Sequence, residues 1–229
     1  MKIIFVILAC LIIGLSGCAT VITTTVKTPV APTEQPAIGT MENPIVDSNI
    51  TLVEALKKYA PPEFKIRQKL IEVLYYSFDG KIHRGQLVIE ERLVKDIQEI
   101  FRVALRNKFP INSVIPISDK RFYNNGKYNE DDQSMLANNT SAFNYRQVTG
   151  GKKLSRHAYG FAIDINPIQN PYIKGKIVLP KGAVYDPSIP GTLTRSCPVV
   201  KTFKRLGWTW GGEWKSLKDY QHFEKIAGK

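Results

Sequence analysis

Between residues 71 and 105 the hydrophobic pattern changes period once, and that change predicts the framework of the fold. Ile71-Glu-Val-Leu-Tyr-Tyr-Ser-Phe78 reads as a strand, Asp79-Gly80 as a turn, and the residues around Gln86 to Ile89 as a second strand. Leu93, Val94, Ile97, Ile100, Phe101, Ala104 and Leu105 then recur at helical spacing. Glu90 and Glu91 near the start of that helix, with Arg102, Arg106 and Lys108 near its end, complement its dipole. Pro110 stops it, and Ile111 to Ile117 predicts a strand, at an edge because Pro116 cannot donate to a ladder. Upstream, Leu52, Ala55, Leu56 and Tyr59 predict a short amphipathic helix halted by Pro61-Pro62.

The polar, Asn-rich run from Ser118 to Asn139 predicts a long loop, of a length that often carries function. Ala162 to Ile165 predicts a strand, and Asn166-Pro167 and Asn170-Pro171 predict turns. Pro198 to Leu206 predicts a late helix, with Pro in its first turn and Gly207 just past its end. Trp208 to Trp210 and Gln221 to Phe223 then supply closing strands. Helices and strands mix without a regular βαβ alternation. The expected class is therefore α+β, a small antiparallel sheet flanked by helices in a single domain.

The amino-terminal segment has a different pattern. Lys2 gives a positive start, Ile3 to Ile13 is almost unbroken apolar, and Leu15-Ser-Gly-Cys18 follows. The apolar run is too short for an ordinary membrane-spanning helix and fits the core of a secretory signal. Leu-Ser-Gly-Cys resembles the lipobox of bacterial lipoproteins, which implies a signal peptide over residues 1–17 and a lipid on Cys18. Residues 18–49 read as a Thr- and Pro-rich tether, extended and semi-rigid, ahead of a folded domain over residues 50–229. Ala19 after the lipidated cysteine leans toward an outer membrane, facing the periplasm, in a cell that has two. The expected location is the cell envelope.

Charge and cysteines narrow the picture. The formal net charge is +12 from 32 basic and 20 acidic residues, and loss of the signal with Lys2 leaves +11. Such a surplus favours anionic partners without choosing among them. The chain has no recognised nucleic-acid motif and carries an export signal, which argues against nucleic acid as a partner. Cys10 leaves with the signal and Cys18 carries lipid, so Cys197 has no partner for a disulfide and is expected to be buried at a helix start. The chain is expected to act as a monomer.

The candidate chemistry is concentrated in two stretches, Ser155-Arg-His-Ala-Tyr-Gly-Phe-Ala-Ile-Asp164 and Asp219-Tyr-Gln-His-Phe-Glu224. They hold two of the three histidines. The spacing of His157 and Asp164 around Gly160 suits a turn leading into a short strand, so that imidazole and carboxylate converge. His222 closes the set from a separate strand. Two histidines and one carboxylate, with a position left for water, compose a catalytic zinc site rather than a structural one. A zinc ion held in that way supplies a nucleophile suited to amide hydrolysis. Ser155 has no adjacent base, so a serine-hydrolase reading fails.

Ser155-x-His157-x-x-Gly160-x-Ala162-x-Asp164, Trp210-Gly-Gly-x-Trp214 and Asp219-x-x-His222-Phe-Glu224 together resemble the VanY-like D-alanyl-D-alanine carboxypeptidase family of zinc peptidases. The branch most similar is that of the L-alanyl-D-glutamate endopeptidases of phage endolysins. The resemblance implies an α+β fold shared with the hedgehog signalling domain, Zn2+ held by His157, Asp164 and His222, and peptidoglycan peptides as substrate. It also places the general base at Asp219, where many relatives have Glu, and an oxyanion- or substrate-binding arginine at Arg146. Glu213 and Glu224 compete for the base role. Glu213 sits in a Gly-Gly turn and reads as solvated, whereas Glu224 shares the parity of His222 and can support it. His83 reads as an exposed strand residue. Tyr145, Tyr159, Trp210 and Trp214 fit groove lining and core packing alike. The motifs fit a D-Ala-D-Ala, L-Ala-D-Glu or cross-bridge bond equally, cut in exo or endo fashion. The alternative from another class is a non-catalytic zinc-containing peptidoglycan-binding module of the same fold.

Overall fold

The computed structural model describes residues 36–56, 60–123 and 130–226. The signal-like run, Cys18 and most of the Thr/Pro-rich segment lie outside the described residues. Among the described residues no helix is long and apolar enough to cross a membrane.

The described elements run in order through β1 (Ile45–Val46), α1 (Leu52–Ala55), α2 (Pro62–Lys65), β2 (Gln68–Tyr76), β3 (Ile82–Glu90), α3 (Val94–Arg106) and β4 (Ser113–Val114). The chain continues through α4 (Glu130–Leu136), β5 (Asn139–Thr140), β6 (Ala162–Asp164), β7 (Tyr172–Lys174) and β8 (Ile177–Leu179). It closes with α5 (Pro198–Arg205), β9 (Thr209–Trp210), β10 (Lys218–Asp219) and β11 (His222–Glu224). Helices and strands are mixed as the α+β expectation requires. The single small antiparallel sheet does not appear. Instead the described residues form three sheets of three strands, ordered β1-β3-β2, β10-β7-β8 and β6-β11-β9, and a two-stranded parallel sheet β4-β5.

The β2–β3 hairpin forms as its alternating pattern predicts, antiparallel from Gln68 opposite Glu90 to Tyr76 opposite Ile82. Strand β3 lies between β2 and β1 and is covered on both faces. Leu87 and Ile89 enter the main core, while Val88 meets Ala55, Ala60 and Phe143 in a smaller cluster. Helix α3 lays Ile97, Ile100, Phe101 and Ala104 into the main core, where they meet Phe203 of α5 and Phe223 of β11. Burying each of the Ile and Phe side chains contributes roughly 1.5–3 kcal/mol. The core therefore fastens the hairpin, α3 and the β6-β11-β9 sheet into one support.

Four local features stand apart from the sequence pattern. Strand β1 pairs in parallel with β3, and the compact unit runs from Pro36. A two-residue strand inside a Pro- and Thr-rich stretch has too little periodicity to announce itself. Ile111 to Ile117 is not a full strand, because only Ser113 and Val114 pair, in parallel, with Asn139 and Thr140. The rest of that buried run has its backbone served by side chains: Asn139 Nδ2 donates to the Ile115 carbonyl at 2.8 Å, and Ile115 N–H donates to Asn139 Oδ1 at 3.0 Å. Within the polar stretch 118–139 the chain builds helix α4, with Glu130, Asp131 and Asp132 in its first turn, where acids suit the dipole. The β7–β8 hairpin was not anticipated.

Candidate metal centre

Strand pairing brings the two distant stretches together. In the antiparallel β6–β11 ladder His222 stands directly opposite Asp164, where cross-strand side chains are neighbours. His157 arrives from the turn that feeds β6, a single 3-10 turn over Arg156–Tyr159. The Ser155 hydroxyl opens that turn by accepting from the His157 N–H at 3.3 Å. Gly160 closes it with φ 70°, a left-handed conformation that a side chain would strain. All three side chains are buried, and one donor atom from each lies within 4.8 Å of the others.

The outer partners decide which atoms face inward. His157 Nδ1–H donates to the Ala142 carbonyl at 2.6 Å, so Nε2 carries the lone pair of the neutral ring. His222 Nε2–H donates to Glu224 at 3.3 Å, so Nδ1 carries the other. These two nitrogens lie 3.2 Å apart. Asp164 meets them with Oδ2 at 3.2 Å from His157 Nε2 and Oδ1 at 2.9 Å from His222 Nδ1. Three acceptors aimed at one point repel unless a proton or a cation sits among them. Bonds of about 2.0–2.1 Å around a tetrahedral ion separate neighbouring donors by about 3.3 Å. The donor set, its separations and the carboxylate and carbonyl behind the two rings therefore fit a zinc ion.

The same contacts shift the titrating groups. Burial alone raises the Asp164 carboxyl, but the charges and hydrogen bonds of His157 and His222 overcome it and hold it far below the usual carboxylate range. Burial lowers His222, yet hydrogen bonds to Asp164 and Glu224 push it up to about 10. Glu224 is lowered, first by the hydrogen bond from His222. Its parity with His222 thus had the structural meaning the sequence suggested.

The centre opens into a cleft of about 450 Å³ whose walls include Arg146, Tyr172, Trp214, Asp219 and Glu224. Asp219 is not on the strand of His222. It sits on β10, paired with Tyr172 of β7, and a turn at Tyr220 and Gln221 separates it from β11. Gly211 packs so closely that any Cβ there would meet the Asp219 carbonyl oxygen and Cβ. Asp219 as a whole is partly covered, yet its Oδ1 is buried and has no hydrogen-bond partner among the described residues. Desolvation raises this carboxyl, His222 lowers it and Asp164 raises it again, leaving it at about 6. Arg146 contacts Asp131 at 2.9 Å and donates from Nη1 to the Gln147 carbonyl at 3.1 Å. Burial opposes its charge, but Asp131, Asp164 and Asp219 raise it.

The remaining candidates separate. Glu213 turns away to the surface and pairs with Lys204 at 2.7 Å. His83 is not an exposed strand residue: its ring is clamped between Asp47 at 3.0 Å and Asp79 at 3.1 Å, because β1 brings Asp47 alongside. Trp214 lines the cleft with its ring 5.4 Å from that of His222. Trp210 is core, its indole N–H donating to the Tyr220 carbonyl at 2.8 Å. Tyr145 and Tyr159 pack on Phe64, away from the cleft. Cys197 is partly exposed rather than buried, at the start of α5 against the main core. The carbonyl of Ala142 and the carboxylate of Asp131 escaped sequence reasoning, since a backbone acceptor leaves no residue-type signature and Asp131 lay in a stretch read as loop.

Residues 149–225 match the model of a family described as D-alanyl-D-alanine carboxypeptidase. The matched segment contains His157, Asp164, Asp219 and His222, and Arg146 lies just before it. No solved structure matches the chain.

Proposed function

We propose that this chain is a zinc-dependent peptidase that hydrolyses an amide bond in the stem peptides of peptidoglycan. The convergence of two imidazole nitrogens and one carboxylate, beside a second carboxylate with one buried oxygen free of hydrogen bonds among the described residues, carries that reading. The family match over residues 149–225 supports a peptidase acting on such peptides. His157, Asp164 and His222 hold the metal, with Ala142 and Glu224 fixing the two rings behind it. When bound, zinc supplies a Lewis acid that polarises the scissile carbonyl and lowers the pKa of the attacking water.

Asp219 is the general base. Its buried, unpaired oxygen is placed to take the proton of the attacking water and to return it to the departing amine. A carboxyl at about 6 is ionised in neutral solution yet basic enough for that transfer. Arg146 presents a fixed positive charge on the cleft wall, for the developing oxyanion or a substrate carboxylate. Trp214 offers a flat apolar wall beside His222.

The finer assignments rest on the motifs. We read the fold as of the hedgehog and D-Ala-D-Ala peptidase type, and the branch as that of the L-alanyl-D-glutamate endopeptidases. Leu15-Ser-Gly-Cys18 behind a short apolar run supports a lipid anchor on Cys18 in the cell envelope. Digestion of purified muropeptides by the zinc-loaded full chain, followed by mass spectrometry, tests the activity and names the bond. Product formation should stop with chelator and return with zinc. Asp219→Ala should keep zinc while turnover falls by about 10²–10⁴. A zinc-loaded chain that retains muropeptides without cutting them would replace the peptidase reading with that of a binding module.

A further inference from the structure

Arg146 stands among three carboxylates that all favour its charge, Asp131, Asp164 and Asp219. Of these, Asp219 offers a buried oxygen with no partner. Arg146 and Asp219 line the same cleft, so a guanidinium free to swing is drawn toward that carboxylate and away from its own station. The geometry shows what holds it elsewhere. Asp131, in the first turn of α4, contacts Arg146 Nε through Oδ2 at 2.9 Å. The contact is an ion pair by distance, without the straight angle of a hydrogen bond. The other oxygen, Oδ1, accepts from Asn144 Nδ2 at 2.8 Å. Asn144 is buried, and its backbone N–H donates to the His157 carbonyl at 3.0 Å. One carboxylate thus ties helix α4 both to the arginine and to the turn that presents the first histidine.

Both members of the pair are largely covered, with 25% of the Arg146 side chain and 17% of the Asp131 side chain exposed. Salt screens such a pair less than one on the open surface. Arg146 has a second tie through Nη1 to the Gln147 carbonyl. The hydrogen bond at Nη1 and the ion-pair contact at Nε together restrain the guanidinium, whereas either alone would let it swing.

We propose that Asp131 is the positioning residue for Arg146, holding its guanidinium on the cleft wall and off Asp219. The inference rests on the peptidase reading and deepens it. It assigns to the polar stretch ahead of the matched segment a defined part in the site: α4 orients the cleft's cation.

A double-mutant cycle on the zinc-loaded full chain tests it, with muropeptide turnover, zinc content and melting temperature recorded for Asp131→Ala, Arg146→Ala and the pair. Asp131→Ala should lower kcat/KM by roughly tenfold to a hundredfold with zinc retained. In the Arg146→Ala background the same change should add little, because its effect passes through the arginine. Losses that multiply would assign Asp131 a role in the fold alone and overturn the proposal. Should Asp131→Ala fail to fold, Asp131→Asn keeps an acceptor for Asn144 while it removes the charge and puts an NH2 donor where Oδ2 met the arginine. The Arg146 Nε–Hε resonance in that variant, recorded by NMR, reads the pairing without any turnover. A shifted, faster-exchanging signal is expected, and an unchanged one would overturn the pairing. Failure of the wild-type chain to cut muropeptides would instead remove the peptidase reading, leaving the resonance to decide the pair.

Discussion

The molecule contains two clusters of histidine and aspartate, and they end differently. Around His83 both ring nitrogens are taken by carboxylates on opposite sides, Asp47 and Asp79, and the Tyr75 hydroxyl also donates to Asp47. Each group has its partner and nothing converges. Around Asp164 each imidazole gives one nitrogen to an outer acceptor and turns the other inward. The residue types are the same. The difference lies in convergence: the inner nitrogens of His157 and His222 and the Asp164 carboxylate come within 4.8 Å of one another, whereas the two carboxylates at His83 lie on opposite edges of one ring. The His83 ring fastens the segment after β1 to the hairpin, and the converging set is shaped to share one ion.

Removing a residue from each cluster separates the two roles most sharply. His157→Ala should abolish stoichiometric zinc and reduce turnover to background, as measured by metal analysis and muropeptide digestion. A variant that kept one zinc per chain would break the distinction. A smaller effect is expected behind the ring. Glu224→Gln should weaken metal affinity or activity by about 10–100-fold while the fold stays intact, read by competition with a chelator. An unchanged affinity would mean that the outer acceptor does not set which nitrogen faces inward.

Protons sharpen the comparison further. His222 is raised to about 10 against an unperturbed 6.5, so in the metal-free chain its charged form stabilises the fold. That contribution is complete below about pH 6.5 and fades as pH climbs toward 10. Metal uptake must displace this proton, so apparent affinity should fall about tenfold for each unit of pH lowered between 9 and 7. Calorimetry in buffers of different ionisation enthalpy should find about one proton released per ion bound, and uptake without proton release would contradict the assignment. The smallest effect belongs to the clamp. His83→Ala should cost roughly 1–2 kcal/mol of stability by removing the ring that contacts both Asp47 and Asp79. Denaturant unfolding would measure it, and zinc content should not change.

How much of this was readable beforehand follows from the range of each interaction. The hairpin, α3 and α5 announce themselves through local period and turn chemistry. His157, Asp164 and His222 were legible because motif and strand parity coincide with the pairing of β6 and β11. What stayed hidden depends on partners far along the chain. Asp219 owes its place to a two-residue ladder with Tyr172, and β1 to a parallel pairing with β3. Helix α4 is polar up to its last two residues, Met135 and Leu136, so its period gives little contrast between faces, and its worth lies in Asp131. His83 looked exposed because Asp47, which covers it, was counted with the tether.

At Gly160 the backbone of the histidine-bearing turn touches the hairpin with nothing between them: an added Cβ would meet the side-chain oxygen of Gln68 and would lie 2.8 Å from the Glu90 nitrogen. The Glu90 N–H also donates to the Gly160 carbonyl at 3.3 Å. Such contact makes the hairpin a datum surface, against which the depth of the first imidazole is measured. The reactive pocket thereby inherits its tolerance from a scaffold strand that never enters it, and a single methyl group in that seam would move the ring as a shim moves a lens.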